Sequence, residues 1–135
     1  VLHGKGSIVT YSGFEATIIK GLSRHCPSKA DDLLSLLSRI VDLEKIIREN
    51  YYHQEFHGRT SIKTTLPILA SDLSYDDLYI KDGDTAMAAF SDMAIGELGS
   101  DSAQELRHAL LKYCARDTMA MVRLHERLLQ AVSLA

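Results

Sequence analysis

Cysteine is scarce, charge is nearly balanced, and long apolar runs are missing from these 135 residues. The two cysteines, Cys26 and Cys114, are too few for a disulfide framework. A reducing, cytoplasmic setting is the expectation. Lysine and arginine number 15 against 18 acidic residues, a formal net charge of −3. A strongly basic nucleic-acid binder is thereby excluded, although a metal-dependent nuclease is not, because bound cations supply positive charge locally. Without an apolar stretch near the length of a bilayer, no transmembrane helix is expected. A signal-peptide pattern is not visible either. Val1, not Met, opens the chain, which leaves room for a longer natural N-terminus. Internal repeats and low-complexity segments are lacking too.

The composition, 46% hydrophobic and 24% charged, is that of an ordinary globular chain. Its length suits a single domain with one core. Ser7 to Tyr11 is short and β-branched and reads as a strand. Ser12-Gly13 breaks it. Phe14 to Leu22 follows as a helix with Phe14, Ile18 and Leu22 on one face. "SRHCPSKADD" reads as a turn, and Pro27-Ser28 opens the next helix, carrying Leu33, Leu34, Leu36, Leu37 and Ile40. "IVDLEKII" (Ile40 to Ile47) is ambiguous between a helix end and a short strand followed by a helix. The strand, Ile40 to Leu43, is favoured.

Asn50 to Thr60 is a polar, aromatic loop. Ser61 is placed to cap a short helix that Pro67 ends or kinks. After the turn-rich "SDLSYDDLYIKDGD", Asp84 is expected to cap a helix over Thr85 to Met93. "GELGSDSAQE" is a loop, and Asp101 or Ser102 caps a last helix over Ala103 to Val132. Ser102 and Glu105 have capping-box spacing. One or two strands against five or six helices make a helix-dominated chain whose strands are too few for a stable sheet alone.

The last helix has an apolar stripe of Leu106, Leu110, Tyr113, Cys114, Met121, Leu124 and Leu128, on which Cys114 is expected to be buried. Asp117 interrupts the stripe. It is either solvated or ion-paired, or it meets a second acid across a cation, since buried charges require partners. Glu15, in the first helical turn after a strand, is a second candidate. Ligands gather past the carboxyl ends of strands in α/β folds, but the helix dipole alone also favours an acid there. Tyr113, one turn before Asp117, shares its side of the helix.

Other motifs are weak. His53 and His57 have metal-ligand spacing but no second cluster. "KDGDT" lacks the periodicity of a calcium loop, and "HGKGS" precedes a strand instead of following it. No nucleophile elbow is found. The aromatic loop "NYYHQEFHGR" either stacks on bases or packs on its own domain.

Strand, "YSGFEATIIKGL", about a hundred residues, then "LLKYCARDTMAMVRL" resembles the DEDD-type 3′–5′ exonucleases of the ribonuclease H-like superfamily. "SIKTTLPIL", "LSYDDLYIKDG" and "YCARDTMAM" look like recurrent blocks of a bacterial family described as a domain of unknown function. They also resemble the exonuclease-like part of RecB-like nucleases. The resemblance spans nearly the whole chain. It implies a partial ribonuclease H-like α/β fold, the C-terminal portion of an exonuclease domain. Glu15 matches the third of four metal-binding acids, as glutamate where aspartate is usual. Asp117 matches the fourth, and Tyr113 the water-positioning tyrosine of the Tyr-x-x-x-Asp subclass. Mg²⁺ or Mn²⁺ would be the cofactor, DNA or RNA the substrate, and phosphodiester hydrolysis the reaction.

One departure matters. The Asp-x-Glu pair of the first strand has no counterpart before Ser7. Asp42-Leu43-Glu44 has the letters but follows Glu15, so its acids are expected to be structural or exposed. This chain alone is therefore expected to be inactive. Two alternatives stand beside the nuclease: a non-catalytic helical protein-interaction module, and a homodimer formed through an unpaired sheet edge.

Overall fold

A computed structural model describes residues 4–96 and 99–133. His3 lies outside the described residues, as do Glu97 and Leu98 of the loop expected before the last helix. The chain divides into two compact units, Val1–Ile68 and Leu69–Ala135. The described residues are dominated by helix, with one two-stranded sheet.

In the first unit, β1 (Ile8–Thr10) and β2 (Ile40–Asp42) pair in parallel, with Ile8 opposite Ile40 and Thr10 opposite Asp42. Parallel neighbours need a crossover. Here it contains α1 (Phe14–His25), a short 3₁₀ turn at Pro27–Lys29, and α2 (Ala30–Leu37), with α1 and α2 packed together. The expected turn over Ser23–Asp32 is therefore mostly helical. Pro27 starts the 3₁₀ turn, where its missing N–H costs nothing.

Phe14, Ile18 and Leu22 do not form the inward face of α1. They are 45–60% exposed, whereas Ser23 is buried and Glu15, Ala16 and Ile19 are half-buried. The more apolar stripe is thus turned to solvent.

The favoured strand at Ile40–Asp42 is present, and Asp42 is also the N-cap of α3 (Leu43–Asn50). One oxygen of Asp42 accepts the backbone N–H of Lys45 at 3.2 Å and that of Ser12 at 3.0 Å. Ser12 adopts a left-handed φ of 77°, an uncommon conformation for a residue with a Cβ. One carboxylate thus fixes the turn after β1 and the start of α3. Glu44 accepts the Thr60 hydroxyl at 3.1 Å. Both acids of Asp42-Leu43-Glu44 have structural partners.

Leu43 and Ile47, one turn apart on α3, are fully buried, as are Thr65 and Leu66 of α4 (Ile62–Leu69). Pro67 lies inside α4, which ends two residues later. Ser61 precedes that helix, and its hydroxyl pairs with that of Thr64 at 3.0 Å. The aromatic loop between α3 and α4 packs largely on itself. Phe56 is buried, with the Tyr51 and His53 rings tilted against it, while Tyr52 is exposed.

The second unit buries Ala70, Leu78, Ile80, Ala89, Ala120 and Leu124. Two packed helices build it, α5 (Gly83–Ile95) and α6 (Ser100–Ser133). Asp82, not Asp84, caps α5: its carboxylate accepts the Thr85 N–H at 2.8 Å. Gly96 ends α5 at φ 78°, the left-handed conformation that glycine adopts at least cost. The last helix begins at Ser100, so Asp101 and Ser102 lie in its first turn and do not cap it. Its 34 residues make a rod of about 51 Å. Cys114 is exposed, because the inward face of α6 runs through Tyr113, Ala120 and Leu124 instead.

Candidate functional site

Asp117 is half-buried on the inward side of α6. Its Oδ1 accepts a hydrogen bond from the Tyr75 hydroxyl at 2.6 Å, a short, charge-assisted contact. Tyr113 lies one turn earlier, and its ring is tilted against that of Tyr75, with centroids 6.1 Å apart. Burial, then the Asp117 hydrogen bond and charge, push the Tyr75 phenol far above its ordinary pKa. Burial and the Asp117 charge push Tyr113 up to about 12. Both phenols therefore remain protonated donors at neutral pH.

The segment carrying Tyr75 is tied to α6 a second time. Arg116 donates two parallel bonds to Asp77, each 2.8 Å, and another to the Ser74 carbonyl. The fork geometry of guanidinium matches a carboxylate. Arg116 holds Asp77 below the usual carboxylate range, and Asp77 raises Arg116 in return. Adjacent residues on α6, Arg116 and Asp117, thus grip one loop from two directions. Sequence reasoning missed Tyr75 as the partner of Asp117. They lie 42 residues apart, and no local pattern links them.

Glu15 belongs to the first unit and has a different environment. It lies in the first turn of α1, just beyond β1. Its Oε2 is buried and has no hydrogen-bond partner among the described residues. The helix dipole favours an acid there, yet a buried carboxylate oxygen without a donor is costly. Gly13, at the N-cap, offers no side-chain cap.

The structure thus places Tyr113 and Asp117 together in one unit and Glu15 in the other. Carboxylates have the hard oxygen donors that Mg²⁺ and Mn²⁺ prefer. Among the described residues, no group of three or more His, Cys, Asp or Glu is arranged to hold a metal ion. A groove of about 820 Å³ in the second unit is not lined by Asp117. Leu78, Leu106, His108, Ala109, Lys112 and Arg116 line it with charges of both signs nearby. No helix among the described residues is long and apolar enough to cross a membrane.

Helix-dominated α/β with a small parallel sheet is the class that these elements define. Residues 1–61 match a family described as a domain of unknown function (DUF2779). No curated protein and no solved structure matches the chain. The matched stretch includes β1, α1, α2, β2 and α3, and with them Glu15. Tyr113 and Asp117 fall outside it.

Proposed function

We propose that the intact protein is a metal-dependent nuclease of the ribonuclease H-like, DEDD exonuclease type, hydrolysing phosphodiester bonds of DNA or RNA from the 3′ end. In this reading Glu15 and Asp117 are ligands of Mg²⁺ or Mn²⁺, and Tyr113 orients the attacking water. One observation carries it: the buried oxygen of Glu15 has no donor among the described residues and lies just past the end of a parallel strand. A divalent cation is the partner that such an oxygen lacks.

Bound metal ions would supply nucleophile activation and charge stabilisation. The chain's own part is to hold carboxylates facing inward and to keep Tyr113 protonated beside Asp117. Such a site needs further acids from a strand carrying Asp-x-Glu, so this chain alone is expected to be inactive.

A second reading, a non-catalytic interaction module, is favoured by the Tyr75 bond to Asp117. That bond gives Asp117 a structural role without a metal. The test is release of nucleotides from end-labelled single-stranded DNA and RNA by the intact protein with Mg²⁺ or Mn²⁺. Glu15→Gln and Asp117→Asn should each abolish release in the nuclease. Asparagine is chosen at 117 because it still accepts from Tyr75. Unchanged release in both variants, or none in the intact parent, would favour the module. Strong metal-dependent release by these 135 residues alone would refute the requirement for further acids.

A further inference from the structure

α6 has a second stripe, partly apolar, opposite the inward face that bears Tyr113 and Asp117. Leu111, Ala115, Thr118, Val122, His125 and Leu129 alternate in steps of four and three residues and are all solvent-exposed. Leu111, Val122 and Leu129 are 46–55% exposed. Single exposed leucines need no explanation. A four-three spacing, one heptad for every two steps, held over about 27 Å of helix, fits a seam that meets another helix in a left-handed supercoil.

The flanking charges select the partner and its direction. Lys112 and Glu126 occupy equivalent positions beside the seam, 14 residues apart. In a parallel pair, Lys112 would face Arg107 of the neighbour, a like-charge contact. In an antiparallel pair of identical helices, Lys112 of each faces Glu126 of the other, with the twofold axis near Met119. The same register stacks Leu111 on Leu129 and Thr118 on Val122, with Ala115 beside His125. Glu126 already accepts Arg123 of its own helix at 3.0 Å, an exposed pair whose carboxylate has lone pairs to spare.

We propose that this face of α6 pairs antiparallel with the same face of a second copy of the chain. The surface is self-complementary, as a twofold interface must be. The seam mixes Leu111, Val122 and Leu129 with the smaller Ala115 and Thr118, and His125 adds a polar layer, so the association is weak enough to depend on concentration. The proposal is independent of any nuclease activity.

Sedimentation equilibrium of the purified chain over about 1–100 µM tests it. The parent should dimerise in that range. Leu129→Glu should leave a monomer of unchanged helical circular dichroism. Lys112→Glu should weaken association about tenfold, because two attractive pairs become repulsive. Lys112→Glu combined with Glu126→Lys should restore it, a rescue that general misfolding cannot mimic. A monomeric parent at the highest concentration would overturn the proposal. So would a dimer that survives Leu129→Glu, which would direct attention to the free edge of the sheet, or a double variant that stays weak.

Discussion

Tyr75→Phe removes a single oxygen and, with it, the hydrogen-bond donor to Asp117. The contact is short, 2.6 Å, and its acceptor is a carboxylate. Hydrogen bonds to charged groups contribute about 1.5–3 kcal/mol when buried. Both residues here are only half-buried, so water can partly replace the lost donor. The expected loss is therefore about 1–2 kcal/mol. For a chain of this size that lowers Tm by about 3–8 °C. Thermal and urea unfolding followed by far-ultraviolet circular dichroism would measure it.

Asp117→Asn keeps an acceptor but removes the charge, so it should cost less than Tyr75→Phe. Combined, the two substitutions should be less damaging than their sum, with a coupling of about 1 kcal/mol. A Tyr75→Phe variant within about 0.3 kcal/mol of the parent would refute the reasoning. It would mean that Asp117 is satisfied by solvent and that its inward position has another cause.

Glu15→Met replaces a half-buried carboxylate, one oxygen of which is buried without a partner among the described residues, with an apolar chain of similar length, and should stabilise by about 1 kcal/mol in urea unfolding. A loss above about 0.5 kcal/mol would show that Glu15 has a donor after all. The Tyr11 phenol, raised to about 12 chiefly by burial, and Tyr113, raised to the same value, give a pH dependence. Because the folded values exceed the unfolded one, their contribution is full below about pH 10 and is lost as pH rises towards 12. Phenolate absorbance should show a late component that urea abolishes; a single step near pH 10 for all six tyrosines would contradict it. Asp42→Ala strips the acceptor from both Ser12 and Lys45 and should cost about 2 kcal/mol, with asparagine retaining most of it. A loss below about 0.5 kcal/mol would show the double acceptor to be unimportant.

Local signals explain what was legible in the sequence. β-branched residues before and after a helical stretch marked both strands, and Pro27 marked a helical start. Periodicity identifies α1 and groups Phe14, Ile18 and Leu22 on one face, but a helical wheel shows which stripe is more apolar and not which one meets a neighbour. Phe14, Ile18 and Leu22 form the greasier stripe, yet Ser23 and Glu15 point inward. The cap of α5 was misplaced by two residues because Asp82 and Asp84 flank a glycine. Only Asp82 stands three residues before the Thr85 N–H that it accepts. Asp117 is visible in the sequence as a break in the apolar stripe of α6, but its partner Tyr75, like the partners of Arg116 at Ser74 and Asp77, is set by tertiary packing alone. No spacing rule reaches across 42 residues.

Glu15 and Asp117 carry unequal weight in deciding between nuclease and interaction module. Asp117 has a phenol donor at hydrogen-bonding distance, so its inward position is accounted for by the protein itself. A metal there would add to an already satisfied carboxylate. Glu15 has no such donor for its buried oxygen among the described residues. An ionised group in that state raises the free energy of the metal-free fold and lowers it only when a cation or a further donor arrives. The residue worth most to the nuclease reading is therefore the one whose removal should stabilise the apo chain. If Glu15→Met stabilises and the same change silences the intact protein, the cost of burying that carboxylate serves a bound cation. If it stabilises and leaves function intact, the buried charge has no catalytic purpose, and the module reading prevails.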